Sequence, residues 1–203
     1  VRASARVDLQ WSEQAAIQEI ASGVPDGSAL FIGSSRPVRD CEAFVTPRSG
    51  LSTFANRGLA GIDGNLSTAF GIATQFERSY SIIGDLTFLH DLSALVNMPS
   101  LNHIIFIIDN NGGGIFSTLP QAGVDGFEKV FGTPQNKDLE AILKGFGCSV
   151  VKVKNESDIR ANFSKSGIHF VIVEVPSREE NAEKLKSVTQ RVVSAVRMGI
   201  NLA

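Results

Sequence analysis

The sequence predicts an α/β protein: a doubly wound, mainly parallel six-stranded sheet with helices on both faces. Three observations carry this. Short runs rich in β-branched residues alternate with amphipathic stretches along the chain. Several runs, such as IIFII at 104–108, are apolar throughout instead of alternating, which marks strands buried on both faces. Helical periodicity fills the intervals between successive runs, as the crossovers of parallel strands require.

Taken in order, Ser12 ahead of Ala15 and Ala16 starts a helix over Ser12–Ser22. A strand at Ala29–Ile32 is followed by a helix at Pro37–Phe44, where Pro37 suits a first helical turn. Strand Ser52–Ala55 precedes helix Asn65–Gln75, and strand Tyr80–Ile83 precedes helix Phe88–Asn97. Strand His103–Ile108 leads through a long loop to helix Lys137–Phe146 and strand Val150–Val153. Asn155 or Ser157 caps a helix at Ser157–Lys165. Strand His169–Val175 and helix Glu179–Val196 end the chain. Residues 1–11 read as linker and 12–203 as one domain. Val1 is not a natural start, so a fragment or processed product of something longer is expected. Residues 121–135 read as a flap or binding loop, and the charges of 177–186 as a solvated helix face.

The 203 residues, 43% hydrophobic and 20% charged, fit one ordinary domain with a full core. A net charge of -2 gives no electrostatic case for nucleic acid. With no polybasic patch, no run of roughly 18 apolar residues and no signal-peptide pattern, the chain reads as soluble without a membrane span. Cys41 and Cys148 are too few for a disulfide framework and read as buried or half-buried thiols in a reducing compartment.

Ligands of such sheets bind beyond the carboxyl ends of the strands, where the strand order reverses. The loops to inspect are therefore 33–39, 56–64, 84–89 and 109–120. Two of them stand out. IIGD (82–85) and IIDNNGGG (107–114) are apolar runs that stop on oxygen-bearing side chains, Asp85 and Asn110. Neighbouring strands place such ends about 4.8 Å apart, or about 10 Å with one strand between. A carboxylate, an amide oxygen and a glycine-turn carbonyl make a hard, all-oxygen set suited to Mg²⁺ or Ca²⁺ and not to zinc. Three protein oxygens leave room for water and phosphate, so a phosphorylated partner is implied. The helix after Asp85 would turn its N–H groups toward a diphosphate, and Gly112, Gly113 and Gly114 let backbone approach a ligand closely. The plainer alternative is that Asp85 caps a helix and DNNGGG is a turn.

GDL followed about two dozen residues later by NN resembles the thiamine diphosphate fingerprint, with Leu86 where most of the superfamily has Gly. FIGSSRPVRD, ANRGLAGIDGNLSTAFGIA, IIGDLTFLHDLSAL and DNNGGGIFSTLPQ resemble, in order and spacing, the diphosphate-binding domain of the 2-succinyl-5-enolpyruvyl-6-hydroxy-3-cyclohexene-1-carboxylate synthase family, over about residues 12–175. That resemblance implies thiamine diphosphate and Mg²⁺ (or Mn²⁺) as cofactors. It implies Asp85, Asn110 and the Gly112 carbonyl as metal ligands, with Asp109 holding the loop. Gly84, Leu86 and Gly113 are implied at the cofactor, and Ile62 as the apolar wedge under its bend. Ser35, Arg39 and Arg57 fall on substrate-contacting positions; Arg39 read alone could be a surface helix residue, and Ser35 an N-cap. Arg36 is set aside. Ile115, Phe116 and Leu119 fall on an apolar wall beside the reacting carbons. His90 and Asp91 read as packing or support, His103 and His169 as structural.

The implied reaction decarboxylates 2-oxoglutarate and joins the product to isochorismate, in menaquinone or phylloquinone biosynthesis. No catalytic residue is assigned to this chain, because the activating Glu belongs to a pyrimidine-binding domain of a partner subunit. The pyrimidine-binding and central domains are absent from these residues, so the chain alone is expected to be inactive and the full-length enzyme a homo-oligomer. A cytoplasmic location is implied, or an organellar one in a plant. Two other readings stay open: another carboligase of the acetolactate-synthase type, and a noncatalytic phosphate-binding module. The second lacks both GxGxxG and GxxxxGK[ST].

Overall fold

The computed structural model describes residues 9–200. Residues 1–8 of the expected linker lie outside the described residues. Six strands form one sheet: β1 (Ala29–Ile32), β2 (Ser52–Phe54), β3 (Ser79–Gly84), β4 (His103–Asp109), β5 (Ser149–Val153) and β6 (Ile168–Glu174). Their order is β2-β1-β3-β4-β6-β5, and every pair is parallel. The chain runs from β1 outward to β2, then returns past β1 to β3. That reversal opens a crevice at the carboxyl ends of β1 and β3, the general ligand position in doubly wound sheets.

Seven helices cover the faces: α1 (Glu13–Gly23), α2 (Arg36–Phe44), α3 (Asn65–Ala73), α4 (Asp85–His90), α5 (Leu139–Gly145), α6 (Glu156–Arg160) and α7 (Arg178–Ile200). The period of two in each strand sorts its side chains between the two layers. On β4, Ile104, Phe106 and Ile108 join Ile17 and Ile20 of α1 and Ile159 of α6. Ile105 and Ile107 face the other way, against Leu66 and Phe70 of α3, Phe88 of α4 and Leu143 of α5. Both layers exclude water at β4, which is why its sequence is apolar without alternation. Burial on both faces holds for the central strands only. On edge strand β2, Ser52 and Thr53 are exposed.

The caps are side-chain oxygens at helix starts. Ser12 Oγ accepts from the Ala15 N–H at 3.2 Å. Asp138 accepts from the Glu140 and Ala141 N–H groups, each at 3.1 Å. Asn155, and not Ser157, caps α6 by accepting from the Asp158 N–H at 2.9 Å. Each cap satisfies a donor that the first helical turn cannot.

Three expected elements differ. The helix expected from Phe88 begins at Asp85, directly on the strand end, and stops at His90 before a 3₁₀ turn over Leu92–Asn97. Asp91 sits at the break with its carboxylate bound to Ser67 of α3, through the backbone N–H at 2.7 Å and Oγ at 3.0 Å. Helix α6 ends at Arg160, and the chain then turns to seat Phe163 against Tyr80 and Phe106, at ring-centroid separations of 5.8 and 5.4 Å. The expected loop at 121–135 contains a π-helical turn, Glu128–Gly132.

The two strand-initial histidines lie at the end of the sheet opposite the crevice. His103 is held between the Ser79 and Ser81 hydroxyls at 2.6 and 2.7 Å, and burial pushes its pKa down to about 4. His169 lies between Ser149 Oγ at 2.7 Å and Asn162 Oδ1 at 3.2 Å. Cys41 and Cys148 are both half-buried free thiols, and burial pushes the Cys41 thiol up to about 12. Among the described residues no helix is long and apolar enough to cross a membrane.

Phe106 is fully buried at the centre of one layer. Phe106→Ala is expected to cost about 3–5 kcal/mol in urea denaturation, the usual effect of emptying a packed aromatic site.

Candidate functional site

Strands β3 and β4 are neighbours, with Gly84 opposite Ile108. Asp85 therefore emerges beside the end of β4. It is only 4% exposed. Its Oδ1 accepts from the Leu86 N–H at 2.8 Å, and its Oδ2 accepts from the Gly112 N–H at 2.7 Å. One carboxylate thus joins the loop after β3 to the glycine turn after β4. Burial, reinforced by the charge of Asp109, pushes its pKa up to about 7. Asp109 accepts from the Asn111 N–H at 3.2 Å and so holds the turn, the supporting role expected of it.

Asn110 is also buried. Its Nδ2 donates to Glu13 Oε2 at 3.4 Å, while its Oδ1 has no hydrogen-bond partner. The Gly112 carbonyl accepts from the Gly114 N–H at 2.9 Å, leaving one lone pair free. The three oxygens expected as metal ligands are therefore close in the chain fold and short of partners.

The glycines are required by protein as much as by any ligand. At Gly112 (φ +135°) a Cβ would lie 2.2 Å from the Gly132 carbonyl oxygen, and at Gly113 it would lie 2.2 Å from that of Phe131. The π-helical turn packs its backbone directly onto the glycine turn, and the Gly113 N–H donates to Gly132 O at 2.8 Å. Asn111 and Asn136 exchange amide hydrogen bonds, at 2.8 and 3.0 Å. Phe116 packs on Phe131, which packs on Phe127. The segment expected as a flap is thus clipped onto the site. The N–H groups of Leu86 and Gly113 are both spent within the protein.

These groups open on one cavity of about 420 Å³. It collects Ile62, Gly84, Asp85, Leu86, Asn110, Gly112 and Gly113 from the expected cofactor set, and Ser35, Arg39, Arg57, Ile115 and Phe116 from the expected substrate set. Leu119 is not among its lining residues; it sits past the 3₁₀ turn of 114–118 and is 38% exposed. Ile62 is half-buried at the wall. Its loop is braced by Asn65, whose Nδ2 donates to the carbonyls of Gly61 at 3.0 Å and Asp63 at 3.2 Å. Ser35 stands at the N-cap place of α2 without a capping hydrogen bond, at φ 76°, a backbone region costing about 1–3 kcal/mol. Arg39 is exposed at the mouth and donates to the Ser35 carbonyl at 2.8 Å. Arg57 is exposed on the opposite loop. His90 is exposed at the end of α4 and is not among the lining residues.

Sequence reasoning missed Glu13 and set Arg36 aside, yet both line this cavity. Arg36 is buried and ion-paired with Asp40. Burial pushes Asp40 up to about 7 and raises Glu13, with Arg36 opposing both shifts. The four-residue spacing of Arg36 and Asp40 was a visible signal for their pairing. Nothing near Glu13 in the sequence announces that a residue of the first helical turn ends up buried.

Residues 38–175 match the family model described as the C-terminal TPP binding domain of thiamine pyrophosphate enzymes. The chain belongs to this family of thiamine pyrophosphate enzymes. A relative from Thermobifida fusca, named 2-succinyl-5-enolpyruvyl-6-hydroxy-3-cyclohexene-1-carboxylate synthase, is 37% identical over 198 residues, covering 94% of this chain and 36% of the relative. One of the same name from Bacillus cytotoxicus is 40% identical over 175 residues, covering 82% and 30%. The chain thus spans about a third of the length of the curated relatives it matches. A solved structure from Mycobacterium smegmatis, described as a thiamin diphosphate-dependent enzyme, superposes with a TM-score of 0.65 at 20% identity, over 82% of this chain and 32% of that one. It shares the fold.

Thiamine diphosphate is therefore the cofactor of this TPP-binding domain, and the residues present fit a cation bridging its diphosphate. An orphaned buried amide oxygen beside a buried carboxylate is what a hard divalent ion would satisfy.

The pKa shifts fix a pH dependence of the ligand-free TPP-binding domain. Asp85 and Asp40, each raised to about 7, hold protons in the folded protein that the unfolded chain releases near pH 4. Through these two groups folding takes up protons between about pH 4 and 7, which outweighs the release from His103 below pH 6.5, so stability falls as pH rises through that window. Denaturation midpoints are expected to be lower at pH 7.5 than at pH 5, with a smaller difference in Asp85→Asn. A midpoint that rises from pH 5 to 7.5 contradicts this.

Proposed function

We propose that the chain is the diphosphate-binding domain of a synthase joining decarboxylated 2-oxoglutarate to isochorismate, in menaquinone or phylloquinone biosynthesis. The observation that carries this reading is the convergence in one cavity of oxygen donors (Asp85, Asn110, Gly112) with two exposed arginines, Arg39 from the first turn of α2 and Arg57 from the loop after β2. The synthase name shared by the relatives supports it.

Asp85, Asn110 Oδ1 and the Gly112 carbonyl would hold Mg²⁺, or Mn²⁺ in its place, at the diphosphate end of the cofactor. Thiamine diphosphate, when bound, supplies the nucleophilic carbon and the electron sink for decarboxylation and carbon–carbon bond formation. Ile62 would support the cofactor from its braced loop. Arg39 and Arg57 take up substrate carboxylates, for which the guanidinium fork offers two parallel hydrogen bonds. Ile115 and Phe116 keep water from the reacting carbons, and an apolar wall favours loss of a carboxylate charge. Ser35 lies beside Arg39, where its hydroxyl can meet a substrate oxygen. The carboxylate that activates the cofactor comes from a pyrimidine-binding domain of a partner subunit in a homo-oligomer, so this domain is inactive alone.

In the holoenzyme, Arg39→Ala and Arg57→Ala are each expected to raise the KM for a dicarboxylate substrate about 10- to 100-fold, the scale of one charge-assisted hydrogen bond. Thiamine diphosphate affinity should stay within about threefold of wild type. The 203-residue chain, given Mg²⁺, cofactor and both substrates, should show no turnover. Turnover by that chain, or arginine variants with unchanged KM, would overturn the reading.

A further inference from the structure

An asparagine side chain is nearly the same shape either way round, so its hydrogen-bond partners decide which face carries the oxygen. At Asn110 the partners lie on one side. Nδ2 donates to Glu13 Oε2 at 3.4 Å. On another side Nδ2 packs against bare backbone: a Cβ added to Gly114 would lie 2.4 Å from it. Turning the amide over would set its oxygen against Glu13 Oε2 and take from the amide nitrogen its one side-chain acceptor. The orientation observed leaves Oδ1 buried and unpartnered at the cavity that also holds Asp85.

Glu13 is itself fixed. It is 3% exposed, in the first turn of the helix that Ser12 caps. Its backbone N–H donates to Asn181 Oδ1 at 2.9 Å, and Asn181 Nδ2 donates to the Pro176 carbonyl at 2.7 Å. The start of α1 is thereby tied to the β6–α7 connection, and the Glu13 side chain is delivered to the cavity from a helix distant in sequence from both strand ends.

We infer that Glu13 is a positioning residue for the cation site: its carboxylate takes the Asn110 amide nitrogen and so aims Asn110 Oδ1 at a hard divalent ion. This rests on the reading of Asn110 as a cation ligand. Glu13 acts through Asn110. A group that orients a metal ligand in this way typically governs affinity by one to two orders of magnitude. A buried carboxylate is also costly to the ligand-free fold, which separates this role from a purely structural one.

The test measures Mg²⁺ affinity of the holoenzyme by calorimetry at saturating thiamine diphosphate, and urea stability of the ligand-free protein. Glu13→Met, which has no acceptor for the amide, is expected to weaken Mg²⁺ about tenfold or more while ligand-free stability is unchanged or higher. Glu13→Gln keeps an acceptor oxygen and should bind within about threefold of wild type. Gly114→Ala presses on the amide from the other side and should also weaken Mg²⁺ about tenfold, so the question can be answered if Glu13→Met does not fold. Wild-type affinity in Glu13→Met, equal losses in the Met and Gln variants, or a loss of affinity matched by a loss of stability would each overturn the inference. Asn110→Ala separates the two levels. If it leaves Mg²⁺ affinity unchanged, the cation-site reading fails; if it weakens Mg²⁺ and Glu13→Met does not, only the role of Glu13 fails.

Discussion

A carboxylate that is nine-tenths or more out of water must be given partners. Asp85 receives two backbone N–H groups, one from its own helix start and one from the glycine turn of the neighbouring strand. That double acceptance fixes the spacing of the β3 and β4 exits, and most of the site follows from it. The Gly112 N–H can reach Asp85 only if the turn is tight, and the turn is tight because Gly112 and Gly113 lie under the backbone of the 128–132 π-helical turn. Two hydrogen bonds are still too few for full compensation, and burial holds the Asp85 pKa up at about 7. A divalent cation would supply it.

The same economy extends outward. Glu13, Arg36 and Asp40 bring two further carboxylates and one guanidinium to the back of the cavity, and Asp40 Oδ2 also lacks a partner. Ligand-free, the site is under-compensated in positive charge. The folded state carries a stability cost there that cofactor and cation relieve, the usual relation between a preorganised site and the stability of its scaffold. The rigid parts of the sheet bear that cost: the fully buried strand residues Ile82, Ile83, Ile107 and Ile108 lie immediately behind the donor loops.

The sheet was legible in the sequence because each central strand is apolar on both faces, a pattern only a covered parallel sheet explains. Strand edges were found within a residue or two for the same reason. The start of α4 was not found: the helix begins directly on the strand end at Asp85, whose carboxylate is held by a tertiary hydrogen bond from Gly112. Asp85 and Asn110 were legible as oxygen-bearing residues at strand ends, Ile62 and the two arginines through the family resemblance, and the cavity collects them. Glu13 was illegible, since its burial depends on the packing of α1 against α7 through Asn181, far away in sequence. Arg36, set aside on the resemblance, lies in the cavity wall with its charge paired to Asp40. The glycine triplet was read for its openness to ligand, whereas two of its members are required by the carbonyls of residues 131 and 132.

Asp85, Asn110 and the Gly112 carbonyl are proposed as one cation site that anchors the diphosphate of the cofactor. Crystals grown with thiamine diphosphate and Mn²⁺ would locate the metal through its anomalous scattering. A single strong peak is expected within about 2.0–2.4 Å of Asp85, Asn110 Oδ1 and Gly112 O, with diphosphate oxygens completing the shell. A metal peak elsewhere, or a diphosphate bound with Asn110 Oδ1 turned away from the ion, would contradict it.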